Sequence, residues 1–426
     1  MKKVYLLVLV FVIVSTNNIS AQKLSYSPLT YYGIGDIYFQ GNTRQQSMGN
    51  TGIGDFTNYH ISKINPANIS ALSKHQAIFE IGFFHRISNF STSSQSQINN
   101  LSNIKNIYGA FTISNWWHTS FGINPYSGSG YKIVSEDTAS TSDYSTPYEY
   151  TIDGLGSMNQ IFWGNSFTFF KKFSVAANLN YNFGSFDKKQ TIIINYDSSF
   201  ISASIIKDRN IFRKVNFDFG FAYNDTIKRN NEELLRFSLG GIYSNKTTIN
   251  TITTKYTART TSYFGAAFTD SLFFDTTGTS SIVLPQTLGF GISMTYKDKF
   301  TFSADYIIKK WSESVIFEQN NFVDSRFIGI GMEYCASKYS SIFYKTIRYQ
   351  IGAYQNNSYL TYNGKQITTQ AFTTGISFPV KRKLMINIGY SYGQRGDLDI
   401  GLKENFHEFN LGMTLYDIWF VKRRYN

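Results

Sequence analysis

Apolar residues and small or polar residues trade places one by one over much of this chain. The clearest run is Val215-Asn216-Phe217-Asp218-Phe219-Gly220-Phe221-Ala222-Tyr223, where every odd-numbered position is large and apolar. Phe173 to Gly184 repeats it, with Phe173, Val175, Ala177, Leu179, Tyr181 and Phe183 set against Ser174, Ala176, Asn178, Asn180, Asn182 and Gly184. Phe409, Leu411, Met413 and Leu415 likewise alternate with Asn410, Gly412 and Thr414. Successive side chains of a strand face opposite ways, so a period of two predicts strands with one greasy and one polar face. The spacing predicts about 14 strands, near 77–90, 105–114, 117–130, 159–170, 173–186, 211–223, 233–250, 281–296, 300–312, 326–336, 345–360, 367–379, 384–396 and 404–418.

Segments of ten or more alternating residues exceed the five or six usual in soluble sheets, which disfavours a β-sandwich or propeller. Tight connections (Lys171-Lys172, Tyr296 to Lys299, Val380 to Lys383) alternate with stretches that read as long polar loops, Ser127 to Ser157 and Thr251 to Ser280. Outer-membrane barrels have short periplasmic turns, longer outer loops and even strand numbers. An even count puts both chain ends on the side of the short turns. Trp116, Trp117, Trp311, Tyr390, Tyr392 and Trp419, at strand ends, are expected to form interfacial aromatic girdles. The expected fold class is all-β: a transmembrane antiparallel up-and-down barrel over residues 76–420.

Composition agrees. Aromatic residues are 17%, with 38 Phe and 31 Tyr, and there are only 6 Pro. Such side chains suit a pleated surface, whereas proline removes ladder donors. The one cysteine, Cys335, excludes an internal disulfide. Lys2 and Lys3, the apolar run Val4 to Val14 and the small pair Ser20-Ala21 read as a signal peptide over 1–21. That run is too short for a spanning helix, which needs about 20 apolar residues. No later segment is a spanning helix, so a membrane location rests on strands.

Residues 22–75 do not alternate and are expected to fold as a hatch within the barrel. They carry Gly33, Gly35 and Asp36, then Arg44, Met48, Gly49 and Gly52, then Asn65-Pro66-Ala67. A phosphate loop is excluded because no Lys-Ser/Thr and no strand-to-helix context follows the glycines. The order Gly-Ile-Gly-Asp, Arg-x-x-x-Met-Gly-x-x-Gly and Asn-Pro-Ala before the first strand resembles the FadL-type family. That resemblance implies a 14-stranded barrel with an N-terminal hatch, as in long-chain fatty-acid transporters. Gly154 to Gln160, Leu284-Pro285 with Gly289-Phe290-Gly291, and Leu415 to Asn426 resemble the FadL-like Plug subunits of the type 9 secretion system. This second resemblance implies a barrel that closes the periplasmic opening of a large translocon barrel. The chain departs from that pattern at Pro28-Leu29-Thr30-Tyr31-Tyr32, where Pro-Tyr-Ser-Arg-Tyr/Phe is expected.

Catalytic chemistry finds little support. His60, His75, His85, His118 and His407 form no His-x-x-x-His or Cys/His cluster, so no metal or cofactor is implied. No hydrolase triad can be assembled from spacing alone, and Glu232-Glu233 reads as a solvated pair in a turn. The formal charge of +12 is more telling. Lys171, Lys172, Lys297, Lys299, Lys381, Arg382 and Lys383 fall in predicted periplasmic turns, joined by Lys228 and Arg229. Lys422, Arg423 and Arg424 form a basic tail over 421–426. Such a rim attracts anionic headgroups or an acidic partner surface, and nucleic acid is not expected there. Expected partners are outer-membrane lipid and either a large translocon barrel or a hydrophobic small molecule. A sealing subunit needs a blocked, polar lumen, as Asn178, Asn180, Asn182, Asn216, Asp218, Asn387 and Ser391 suggest. A transporter of hydrophobic compounds needs an apolar pocket, to which Ile34, Ile53 and Ile64 could contribute.

Overall fold

The computed structural model describes residues 27–419 except 141–144, 198–199, 230–231, 264–265, 339 and 381–382. Segment 1–21, expected to be a signal peptide, the tail residues Lys422, Arg423 and Arg424, and Lys381 and Arg382 lie outside the described residues. A two-residue strand, β1 (Asp36–Ile37), belongs to the N-terminal segment. Strands β2 (Gln76–Ser91), β3 (Ser96–Ser114), β4 (Trp117–Ser140), β5 (Ser145–Phe169), β6 (Phe173–Asp197), β7 (Phe200–Arg229) and β8 (Glu232–Ser244) follow. Next come β9 (Thr247–Tyr263), β10 (Ala266–Leu284), β11 (Thr287–Tyr296), β12 (Phe300–Lys309) and β13 (Ser325–Cys335). The chain ends with β14 (Arg348–Tyr362), β15 (Lys365–Val380), β16 (Leu384–Asp397) and β17 (Leu402–Ile418).

Fourteen of these form a closed antiparallel barrel. The wall runs from β2 to β8, passes directly to β11 (Phe237 opposite Met294), and continues to β17. β17 pairs back onto β2, with Phe409 opposite His85. Closure leaves no exposed sheet edge in the apolar zone, which is what a lipid environment demands. The alternation sorts as predicted. Phe217, Phe219, Phe221, Phe409, Met413 and Leu415 are exposed on the outer face, and Asn178, Asn180, Asn182, Asn387 and Ser391 are buried inside. The interior amides link strand to strand, Asn182 to Asn216 at 2.7 Å and Asn180 to Asp218 at 2.7 Å.

Three expectations need correction. Ser127 to Ser157 and most of Thr251 to Ser280 are not loops. β4 and β5 stay paired out to Ser140 opposite Ser145, and β9 and β10 form a hairpin. Outside the bilayer both faces are wet, so these strands lose the alternation that marks the wall. Second, 233–250 and 281–296 are each broken, at Asn245-Lys246 and at Pro285-Gln286. There the chain leaves the wall to build that hairpin, and β9 pairs with the far half of β7. Third, Trp311 is not interfacial. It is 1% exposed and stacks on Tyr359 at 4.3 Å between ring centroids.

Strand lengths are uneven. β6 and β7 have 25 and 30 residues, against 10 each in β11 and β12. A crossing uses about 9–11 residues. β4 to β7 therefore run on beyond the apolar belt for roughly 50 Å of tilted strand, at about 3.3 Å per residue. An apolar cluster that includes Leu29, Ile34, Met158, Ile249, Ile282, Trp311 and Ile316 fills the mouth at this end. A smaller one (Ile61, Ile69, Leu72, Ile78, Tyr108, Phe162) closes the end carrying the short turns.

Candidate functional site

The N-terminal segment crosses the lumen from the tall end to the short-turn end, and it is fixed from within by its own turns. Asn42 and Gln45 form a reciprocal capping box at the start of a short helix, Thr43–Ser47. The Asn42-Thr43-Arg44-Gln45 order is a sequence signature of that cap. Asn65 caps a 3-10 turn, Pro66–Ala71, by accepting from the Ala67 amide at 3.1 Å. Gly49 turns the chain with φ +68°, a conformation that disfavours any side chain.

Against this segment the wall offers bare backbone. Gly220 on β7, Gly240 on β8, Gly291 on β11, Gly331 on β13, Gly352 on β14 and Gly375 on β15 lie around the inside of the barrel. A Cβ on each would collide with Asn65, Ile53, Gly54, Met48, Gly49 or Ser47 respectively. Polar wall groups add to this seat. Asp305 on β12 accepts from the amides of Gly52 and Ile53 at 2.6 and 2.8 Å. Thr373 on β15 accepts from Gly49 at 2.9 Å and donates to Ser47 at 3.0 Å. The hatch is thus seated flush on the wall.

A buried ion cluster locks the seat. Arg44 contacts Asp55 at 2.9 Å and Glu333 at 2.6 Å, all side chains being 1–2% exposed. Glu333 also accepts from Tyr59, Arg348 and Gln350 at 2.9–3.1 Å. Arg348 lies 4.0 Å from the Tyr59 ring centroid. His60 joins through Asp55 at 2.7 Å. Burial works against the Asp55 charge, yet Arg44 and His60 hold its pKa down at about 2. Burial lowers the His60 pKa below its ordinary value despite that carboxylate.

At the tall end β3 and β4 part. Their pairing ends at Ile107 opposite Ile123, just before Pro125, which has no amide hydrogen to donate. Above that point β4 pairs instead with the hatch, Asp36 opposite Gly128 and Ile37 opposite Ser127. The Tyr38 amide continues the ladder to the Tyr126 carbonyl at 3.0 Å. Gly35, with φ +76°, sits against the Gly128 carbonyl, where a Cβ has no room. Asp36 is held by Arg395 at 2.6 Å. The hatch therefore fills a slot in the wall.

Behind that slot lies a cavity of about 310 Å³. Aromatic groups such as Phe84, Tyr126, Trp311 and Phe327 line it, together with Lys63, Arg86, Lys105, Lys309 and Arg395 and the carboxylates Asp36, Asp218 and Glu408. Of the three hatch isoleucines offered for an apolar pocket, Ile64 reaches this cavity, while Ile34 is fully buried in the mouth cluster.

The structure packs Gly33 on Tyr359 of β14, places Gly35 and Asp36 at the slot, and sets Arg44, Met48, Gly49, Gly52, Asn65, Pro66 and Ala67 on the inner wall. The basic rim is partly neutralised. Lys172 pairs with Asp225 at 2.8 Å and Lys383 with Asp417 at 2.7 Å, while Lys171, Lys297 and Lys299 are exposed. Glu232 and Glu233 open β8, opposite Arg229 and Lys228. His85 and His407 bond singly to Ser102 and Tyr390. Among the described residues no group of three or more His, Cys, Asp or Glu side chains is placed to hold a metal.

Comparison with solved structures gives the fold a family setting. A Pseudomonas aeruginosa FadL homologue superposes with a TM-score of 0.56 at 11% identity, covering 90% of this chain and 99% of that one. The Ralstonia pickettii toluene transporter TbuX gives 0.55 at 12%, over 88% and 98% of the two chains. The Pseudomonas putida toluene transporter TodX gives 0.55 at 13%, over 91% and 100%. The barrel with its hatch is a FadL-like fold. No curated protein matches the sequence. The sequence model of one family, BamG, matches residues 1–426, the whole length. This chain belongs to the BamG family.

Proposed function

We propose that this protein is an outer-membrane barrel that works as a closed interaction subunit, offering its wall and rims to a partner while its lumen stays shut. The observation that carries this reading is the seating of the hatch: glycine backbone beneath it, a buried Arg44–Glu333 pair through it, and apolar clusters across both mouths. An open conduit has no use for so complete a filling. Outer-membrane placement is supported by the apolar outer face and the FadL-like fold. The partner named by the sequence resemblance, a type 9 secretion translocon barrel, rests on that resemblance alone.

A second reading is favoured by the comparisons, which include two toluene transporters. In it the slot between β3 and β4 leads a hydrophobic small molecule from the cavity into the bilayer. The cavity lining weighs against it, because hydrophobic-ligand sites are mostly apolar with few polar groups. Five cationic and three anionic side chains lie around this one.

Affinity purification from native membranes in mild detergent separates the two, combined with toluene and fatty-acid uptake by cells lacking the gene. The subunit reading expects a stoichiometric larger barrel in the purified material and normal uptake. A lone barrel whose loss slows uptake overturns it in favour of transport.

A further inference from the structure

We infer that the lumenal cavity is a binding site for a small phosphate-bearing solute, gripped by Lys63, Lys105 and Lys309. These lysines come from three separate elements, the hatch, β3 and the end of β12, and all line the same cavity. Lys63 is 6% and Lys105 8% exposed, and the Lys105 ammonium has no hydrogen-bond partner among the described residues. None of the three has a carboxylate within salt-bridge distance among those residues. Each instead lies near an aromatic ring: Lys63 at 5.4 Å from Phe162, Lys105 at 5.4 Å from Phe39, and Lys309 at 6.0 Å from Tyr126.

The position of Lys105 comes from a special backbone feature. In the β2–β3 ladder Gly82 faces Asn106 and Phe83 faces Ile104, so Lys105 is the extra residue of a bulge. The bulge turns Lys105 and Asn106 both inward, while Ile104 and Ile107 on either side remain exposed outside. Regular alternation would give the inward place to only one of the two. Bulges re-aim side chains in this way near functional sites.

The cavity's carboxylates are already committed. Glu408 pairs with Arg86 at 2.8 Å, and Asp36 with Arg395 at 2.6 Å. Asp218 accepts from Asn180 and Ser244, each at 2.7 Å. Positive charge is left over on buried side chains, where an unpaired ammonium is costly. A dianion would compensate it, and phosphate offers that charge with several acceptors for lysine donors. The 310 Å³ volume leaves room beyond the phosphate, and the partly buried Tyr126 ring lines it beside Lys309 for an attached organic group.

The test is calorimetric titration of the full-length, detergent-solubilised protein with inorganic phosphate, glycerol phosphate and dihexanoyl phosphatidic acid. The expected result is saturable one-site binding of at least one of them, weakened tenfold or more in Lys105→Met and in Lys309→Gln but unchanged in the rim variant Lys299→Gln. The tightest of the three tells a free ion, a soluble ester and a lipid headgroup apart. The empty Lys105→Met protein should also melt higher than wild type, since it loses an uncompensated charge. Absence of saturable binding by all three, binding that survives both substitutions, or a lower melting point for empty Lys105→Met overturns the assignment.

Discussion

Arg44→Met should free the hatch without unfolding the barrel. The guanidinium lies between Asp55 and Glu333 at 2.9 and 2.6 Å, with all three side chains almost wholly buried. Methionine fills much of the volume but takes the shared cation from both carboxylates, and of the two Glu333 alone keeps an arginine, Arg348. Removing one partner of a buried pair costs about 3–5 kcal/mol, mostly the penalty on the charge left behind. At about 1.4 kcal/mol per factor of ten, the undocked population rises by roughly two to three and a half orders of magnitude. Hydrogen exchange in nanodiscs reads this directly. The Gly49, Gly52 and Ile53 amides donate to Thr373 and Asp305 in the seat and should lose protection by that factor. Amides in the β5–β6 and β15–β16 ladders should keep theirs, because no wall hydrogen bond depends on Arg44. Arg44→Met combined with Asp55→Asn should recover part of the loss, since the second change removes the carboxylate that has no other arginine. Seat amides as protected as wild type, or a barrel that falls apart together with the hatch, would refute the latch.

Three further outcomes test other parts of the account. Gly352→Val puts a branched side chain where even a Cβ collides with the Gly49 amide. It should expose the hatch to protease while the barrel keeps its heat-resistant migration. Phe409→Lys on the outer face should cost about 2–4 kcal/mol near mid-bilayer, read by urea titration in lipid; an unchanged midpoint would place Phe409 off the lipid face. The His60 pKa is lowered in the docked hatch from 6.5, first by burial. The released hatch then takes up a proton more readily, so docking weakens as pH falls through about 6.5 and levels off below the docked pKa. Protease protection of the hatch should drop between pH 7.5 and 5.5 in wild type and stay level in His60→Asn.

Much of the wall was legible because lipid enforces the alternation. Phe217, Phe219 and Phe221 point out and Asn216 inward, as the period of two requires. Legibility ended where lipid ends. Thr251 to Thr261 reads as loop because its buried positions Thr251 and Thr253 are polar and its exposed ones mix Ile252 with Lys255 and Arg259, yet it pairs with β7 along its length. The hatch motif was visible as glycine, arginine and asparagine, but not its seat. Arg44 and Glu333 are 289 residues apart, and nothing local marks Gly331 or Gly352 as bare floor. The capping box at Asn42 and Gln45 could have been read, since its spacing is local. The inward turn of Lys105 could not, because a bulge is fixed by pairing with another strand. Lys172 and Lys383 were singled out as basic turn residues, but not Asp225 and Asp417, which pair with them.

The central claim is that the hatch shuts the lumen. Planar-bilayer recording of the purified wild-type protein tests it most directly, beside a variant lacking residues 27–75. Wild type should pass no steady ionic current, and the hatchless barrel should form a stable channel. A steady current of constant amplitude through the wild-type protein would contradict it.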